Sequence, residues 1–307
     1  MSIKKSVTAL VTAAAMLLLS GCSLSTDTLK AKAEELLNGS SSGAGNYSFS
    51  AENYPAISVS PTLLVTGEAI TSAVLSVTQS EASSFVKTAS VTENYRRLCA
   101  GEVSFVLTGE TGEEAQKYIR KTGEELEITK IGTDALVFFC SADNTVDSLT
   151  QAEIKKIFSG DIASWREVGG ADRAIDVYQR AQGSDSRMLF DTLIKTGGKG
   201  SVAKKDVITE PEGEIFEAEA DYVNTAGSIG YSGYLYMTNI GKGEHRNIKI
   251  LSVDGVEPNG ETISDGTYPL TGGIYAAIRK SAAKDSPERI LFNWICSSQG
   301  REFIKAE

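Results

Sequence analysis

Apolar positions along the chain fall into short runs, broken by polar and glycine-rich stretches. Ala56-Ile57-Ser58-Val59-Ser60 reads as a strand, and Thr62–Val77 reads as the helix that follows it. Glu93–Ala100 and Glu113–Lys121 predict helices, with Val103–Leu107 an apolar strand between them. Ala135-Leu136-Val137-Phe138-Phe139-Cys140 is continuously apolar, the pattern of a strand buried on both faces. Thr150-Gln151-Ala152-Glu153 has the spacing of a capping box and opens a helix through Phe158. Ile175–Tyr178 predicts a strand, Ser186–Ile194 a helix, and Ser228–Tyr231 leads into another strand-like run. Ser286-Pro287 places a good cap before a proline at the first helical position, opening a helix through Cys296. Strands alternating with helices predict an α/β fold.

The first segment has a different pattern. Lys4 and Lys5 precede a short apolar run, Ala9–Leu19, which has signal-peptide length and falls short of the about 20 residues a bilayer span needs. It ends in Leu19-Ser20-Gly21-Cys22, which is similar to the bacterial lipobox and implies cleavage before Cys22 and lipidation of its thiol. Residues 1–21 are therefore expected to be a lipoprotein signal peptide. Residues 22–51 are expected to be the lipidated Cys and a tether, since Asn38–Ser50 is rich in Gly and Ser. The expected location is the extracytoplasmic face of the cell membrane.

Composition narrows the chemistry. At 307 residues the chain is long enough for two lobes or one large domain. Its net charge of −10 argues against a nucleic-acid partner, which needs a basic surface. One His and four Cys are too few soft ligands for a typical zinc enzyme, and no cofactor or metal is expected. Cys99, Cys140 and Cys296 remain after lipidation, an odd number read as buried free thiols.

The segment with most chemistry is Tyr178-Gln179-Arg180-Ala181-Gln182-Gly183-Ser184-Asp185-Ser186-Arg187, between a predicted strand and a predicted helix. A Gly-Ser turn at a helix start offers unpaired backbone N–H groups, hydroxyls and the positive end of the helix dipole. Arg180 and Arg187 can add charge-assisted hydrogen bonds to an anion held there. A capped helix with two surface arginines is the alternative reading.

Two stretches weigh against that alternative: DALVFFCSADNTVDSLTQAEIKKIFSGDIASWREVGG and DVYQRAQGSDSRMLF. With Gly227-Ser228-Ile229-Gly230-Tyr231, Tyr268-Pro269-Leu270 and the closing FNWICSSQGREFIKA, they resemble the substrate-binding proteins of phosphate ABC importers. The resemblance covers roughly residues 52–307. It implies a two-lobed periplasmic-binding-protein-like (type II) fold with hinge crossover strands. Residues 52–133 would form the first part of lobe 1, 134–231 lobe 2, and 232–307 the rest of lobe 1. It also implies capture of inorganic phosphate in the interlobe cleft, delivery to an ABC permease and its ATPase, and, as a rule, a monomer. No bond is broken in that role.

Site residues follow from the same resemblance. Arg180 matches the family's site arginine. Gly183, Ser184 and Ser186 match its Gly-Ser-Gly-Thr turn, with Asp185 standing where the second Gly belongs. A carboxylate there either points outward or accepts the proton of a monohydrogen oxyanion. At the first strand-to-helix turn Ser60 is retained, Pro61 departs, and Thr62 can compensate. Ser90 and Thr92 match the family's Ser/Thr helix start. Glu110 stands for its acidic proton acceptor, a solvent-facing loop Glu being the other reading.

The departures at Pro61 and Asp185 keep a second role open. In it, the chain is a divergent surface lipoprotein of the same fold, binding another oxyanion or small solute, or acting as a sensor or adhesin. An enzyme is disfavoured, because no Gly-x-Ser-x-Gly elbow occurs and His245 sits in a polar turn-rich stretch. Gly197–Ser201 lacks the full phosphate-loop pattern, Glu210–Glu214 reads as a solvated loop, and Trp165 and Tyr178 read as packing residues.

Overall fold

The structure, a computed structural model, describes residues 49–180, 184–194, 227–240, 247–302 and 304. Cys22 and the signal segment, Gly183, His245, Gly197–Ser201 and Glu210–Glu214 lie outside the described residues.

The chain opens with β1 (Ile57–Val59), a 3-10 turn at Pro61–Leu63 and α1 (Leu64–Leu75). Pro61 starts that turn at no cost, because the first helical position has no N–H partner to lose. Next come α2 (Gln79–Ala82), β2 (Val86–Thr88), α3 (Val91–Ala100), β3 (Phe105–Thr108) and α4 (Glu113–Thr122). β4 (Leu126–Ser141) is followed by β5 (Ser148–Leu149) and α5 (Gln151–Ser159). The Thr150–Glu153 capping box that starts α5 is formed in both directions. β6 (Asp176–Val177), α6 (Asp185–Ile194), β7 (Ser228–Gly233), α7 (Tyr234–Ile240), β8 (Ile248–Val253) and α8 (Gly260–Ser264) follow. β9 (Thr271–Arg279), α9 (Pro287–Cys296) and α10 (Ser298–Glu302) complete the described chain.

Two strands hold the halves together. The sheet runs β2-β1-β3-β9-β4-β7-β6, with β8 also on β4 and β5 on β8. β4 pairs antiparallel with β9 over Leu126–Ala135, with a register shift between Lys130 and Gly132. It then pairs with β7 from Leu136 and with β8 from Phe138. One strand therefore serves both halves of the molecule.

Each half has its own core. In the first half Val59, Leu63, Ile70, Leu107, Ile278 and Ile295 pack on one face of the sheet. Tyr95, Leu98 and Val106 pack on the other. In the second, Phe138, Phe158, Phe190 and Tyr231 form an aromatic cluster, with Phe190 and Tyr231 stacked at 4.6 Å. The sequence reading returns the chain to the first lobe at residue 232. The cores place the return later, at β9, because Leu251, Val253, Ile263, Tyr268 and Leu270 pack with Phe138 in the second core. α7 straddles the two: Leu235 joins the first core, while Tyr234, Tyr236 and Met237 join the second.

Three further differences from the sequence reading concern local structure. The strand through Tyr231 ends at Gly233 and continues as helix α7, not as a strand-like run. The first half of β4, and all of β8 and β9, are strands that the sequence reading leaves unassigned, although Ile248–Val253 is largely apolar. Among the described residues Cys99, Cys140 and Cys296 are unbridged; Cys140 is fully buried, whereas Cys99 and Cys296 are half-buried. Among the described residues no single helix is long and apolar enough to cross a membrane.

Candidate functional site

A cleft opens where the first turn of α6 meets the Pro61–Leu63 turn, the end of β3 and the strands that join the halves. Its free space, counted out to open solvent, is about 390 Å³. Thr62, Glu110, Asp134, Asp185 and Ser186 supply its polar lining; Leu63, Leu189 and Ile274 supply apolar walls. Residues from both cores therefore face one space.

Asp185 begins α6 and is buried, and its Oδ2 accepts a hydrogen bond from the Thr62 hydroxyl at 3.2 Å. It points into the cleft, so the outward orientation left open by the sequence is excluded. Ser186, next in the same helical turn, is also buried. Across the cleft Glu110 is anchored through Oε1, which accepts from the Gly273 N–H at 2.7 Å and the Tyr275 hydroxyl at 3.3 Å. Burial, and then the Glu110 charge, hold the Tyr275 phenol above its ordinary value, so it stays protonated and donating. Glu110 is thus half-buried and in the cleft, not a solvent-facing loop residue.

Asp134 is a third carboxylate, which the sequence reading missed. It sits in β4 between the two halves, and its Oδ1 accepts from the backbone N–H groups of Ala135 at 2.8 Å and Leu235 at 3.0 Å. A Cβ on Gly233 would lie 2.8 Å from Asp134 Oδ2, so only glycine lets β7 pass this close. The signal for Asp134 was present: it is the acid that heads the apolar run Ala135–Cys140. Although three carboxylates line the cleft, no group of three His, Cys, Asp or Glu among the described residues is placed to hold a metal ion.

A family model described as a PBP superfamily domain matches residues 60–305. The chain belongs to the PBP superfamily. The phosphate-binding protein PstS of Borreliella burgdorferi is 28% identical over 196 residues, covering 61% of this chain and 67% of that protein. PstS of Bacillus subtilis is 29% identical over 144 residues, covering 47% of this chain and 43% of its own length. Among solved structures, a phosphate-bound protein from Clostridium perfringens superposes with a TM-score of 0.63 at 20% identity, covering 82% of this chain and 96% of that one. An ABC-type phosphate transport receptor from Vibrio cholerae gives 0.60 at 18%, covering 81% and 96%. At these identities the superpositions establish the α/β, periplasmic-binding-protein-like fold.

Of the site residues read from sequence in this PBP superfamily chain, Thr62, Glu110, Asp185 and Ser186 come together in the cleft. Ser60, Ser90, Thr92, Arg180 and Ser184 are not in its lining. Ser60 is buried behind the wall, its hydroxyl 3.0 Å from that of Thr108. Ser90 caps α3, accepting from the Glu93 N–H at 3.4 Å, and Thr92 lies half-buried in that helix's first turn. Arg180 is buried at the end of the β6 segment, and its backbone N–H donates to the Tyr231 hydroxyl at 3.4 Å. Tyr231 in turn donates to Gln179 Oε1 at 2.9 Å. Burial holds its phenol well above the ordinary value, so that donation persists across neutral pH. Ser184 is half-buried just before α6, its carbonyl accepting from the Met188 N–H at 2.9 Å. Trp165 is a packing residue as expected, buried and donating from Nε1 to the Gly227 carbonyl at 2.9 Å.

Proposed function

We propose that the chain is a lipid-anchored, extracytoplasmic solute-binding protein that captures inorganic phosphate in this cleft and passes it to an ABC permease driven by its ATPase. The observation that carries the reading is the meeting of the first turn of α6, bearing Ser186, with Thr62 and Glu110 from the other half. A buried oxyanion needs every oxygen paired and its acid proton accepted. The α6 N–H groups and the Ser186 hydroxyl are the donors, Glu110 the acceptor, and buried Arg180 the countercharge. The relatives named phosphate-binding proteins support the same ligand. The two cores act as lobes closing about the strands that join them, in a monomer whose role is capture without bond cleavage.

A second reading has one observation in its favour, the presence of Asp185 inside the cleft. A carboxylate opposes an incoming anion, so the same fold would then hold another oxyanion or small solute, in a sensor or adhesin. Titration calorimetry of the full-length chain, freed of ligand by unfolding and refolding, separates the two. Saturable heat with phosphate and none with sulfate is expected, with binding weakened at least tenfold in Arg180→Ala. Refolded protein with a cooperative melt that gives no phosphate heat would overturn the proposal.

A further inference from the structure

Two of the cleft's carboxylates are held in ways that suit hydrogen-bond acceptance from a ligand. Glu110 is fixed through Oε1 by Gly273 and Tyr275, and its Oε2 accepts no hydrogen bond from the described residues. Asp185 is fixed from the opposite half by the Thr62 hydroxyl at its Oδ2. They therefore approach the same space from different elements, one at the end of β3 and one at the start of α6.

Several charged and titratable groups surround this pair. Asp134 on β4 adds a third carboxylate to the lining. Tyr275 on β9 faces Glu110, and Tyr95 on α3 senses the Glu110 charge. Arg180 is buried and outside the lining, and Arg187 on α6 is paired with Asp191 at 2.9 Å. The cations thus stand outside the lining and the acids within it. A fully ionised oxyanion has no proton to offer these acceptors and meets like charge. An anion with two acidic O–H groups satisfies both.

We propose that the cleft selects the doubly protonated, singly charged form of phosphate, with Glu110 and Asp185 each accepting a hydrogen bond from one P–OH group. This rests on the phosphate reading above and adds the ligand's protonation state. It makes Asp185 a specificity-determining residue of the site. Above phosphate's second ionisation the bound form must be drawn from a shrinking fraction of the ligand, so binding takes up a proton.

The test is phosphate affinity of the full-length chain from about pH 5.5 to about pH 8.5, with proton uptake read by calorimetry in two buffers of different ionisation heat. Affinity is expected to fall about tenfold per pH unit above the second ionisation, with close to one proton taken up per phosphate. Asp185→Asn, which needs only one ligand proton, is expected to flatten the profile and to bind at least tenfold more tightly than the parent at the alkaline end. Proton uptake by the unmodified chain decides the matter even if that variant does not fold. Tight phosphate binding without pH dependence or proton uptake would overturn this selectivity and leave phosphate capture standing. Absence of phosphate binding at every pH would overturn both.

Discussion

Thr62 and Asp185 are 123 positions apart in sequence, yet they form a direct hydrogen bond across the cleft. A bond to a buried carboxylate contributes about 1.5–3 kcal/mol, and more is lost when the partner stays buried. Thr62→Val keeps the side chain's shape and removes the donor. It is expected to lower the melting temperature by a few degrees and to weaken ligand binding about tenfold, read by thermal unfolding and calorimetry. Cys296 gives a second test at this scale. Burial pushes its thiol up to about 11, so little thiolate exists near neutrality. Disulfide-exchange labelling at about pH 8 is expected to be slow in the folded chain and fast in denaturant. Thr62, Asp185 and Ser186 were legible as site residues through the resemblance to the family's strand-to-helix turns, where backbone donors are exposed. Asp134 was not, because its role depends on β4 passing between the halves and on the close approach of Gly233.

Among the secondary-structure elements, the second half is stitched at Gly227. Its carbonyl accepts from Trp165 Nε1 and from the Asp176 N–H at 2.9 Å each. A Cβ at Gly227 would fall 2.6 Å from the Ala174 carbonyl oxygen, a backbone atom that cannot swing aside. Gly227→Ala is expected to destabilise by about 1–3 kcal/mol, measured as a lowered denaturant midpoint with an unchanged slope. α6 links the halves in a different way. Phe190 and Ile194 belong to the second core, whereas Met188 packs against the cluster of the first half that holds Tyr95 and Leu98. The helices that were easy to read from sequence carry their own stop and start signals, such as Thr150–Glu153 and Ser286-Pro287. The first half of β4 was hard to read because it is largely half-exposed, and its strand character comes from pairing with β9 about 140 residues later.

For the whole molecule, β4 contributes to the cores of both halves, and the cleft lies where residues of the two halves meet. The alternation of apolar runs revealed the α/β class. The place where the chain returns to the first core was not legible, since β8 and Leu270 resemble any other apolar segment until paired. Buried phenols set the alkaline limit of stability. Burial raises Tyr54, Tyr231 and Tyr268, and takes Tyr95 to about 12. The folded state keeps these protons while the unfolded chain releases them above about 10. Their contribution is therefore complete below about pH 10 and is lost as pH rises through about 12, which predicts cooperative alkaline unfolding in that window, followed by tyrosinate absorbance.

Thermal unfolding of the ligand-free chain at mildly acidic pH, with phosphate and separately with sulfate, tests capture most directly. At a hundredfold excess over the dissociation constant a bound ligand adds about 2.7 kcal/mol to the folded state. For a protein of this size that corresponds to a rise of about 2–4 °C per kcal/mol. The account predicts such a rise with phosphate and none with sulfate. Equal melting temperatures in both anions and in buffer alone would contradict it.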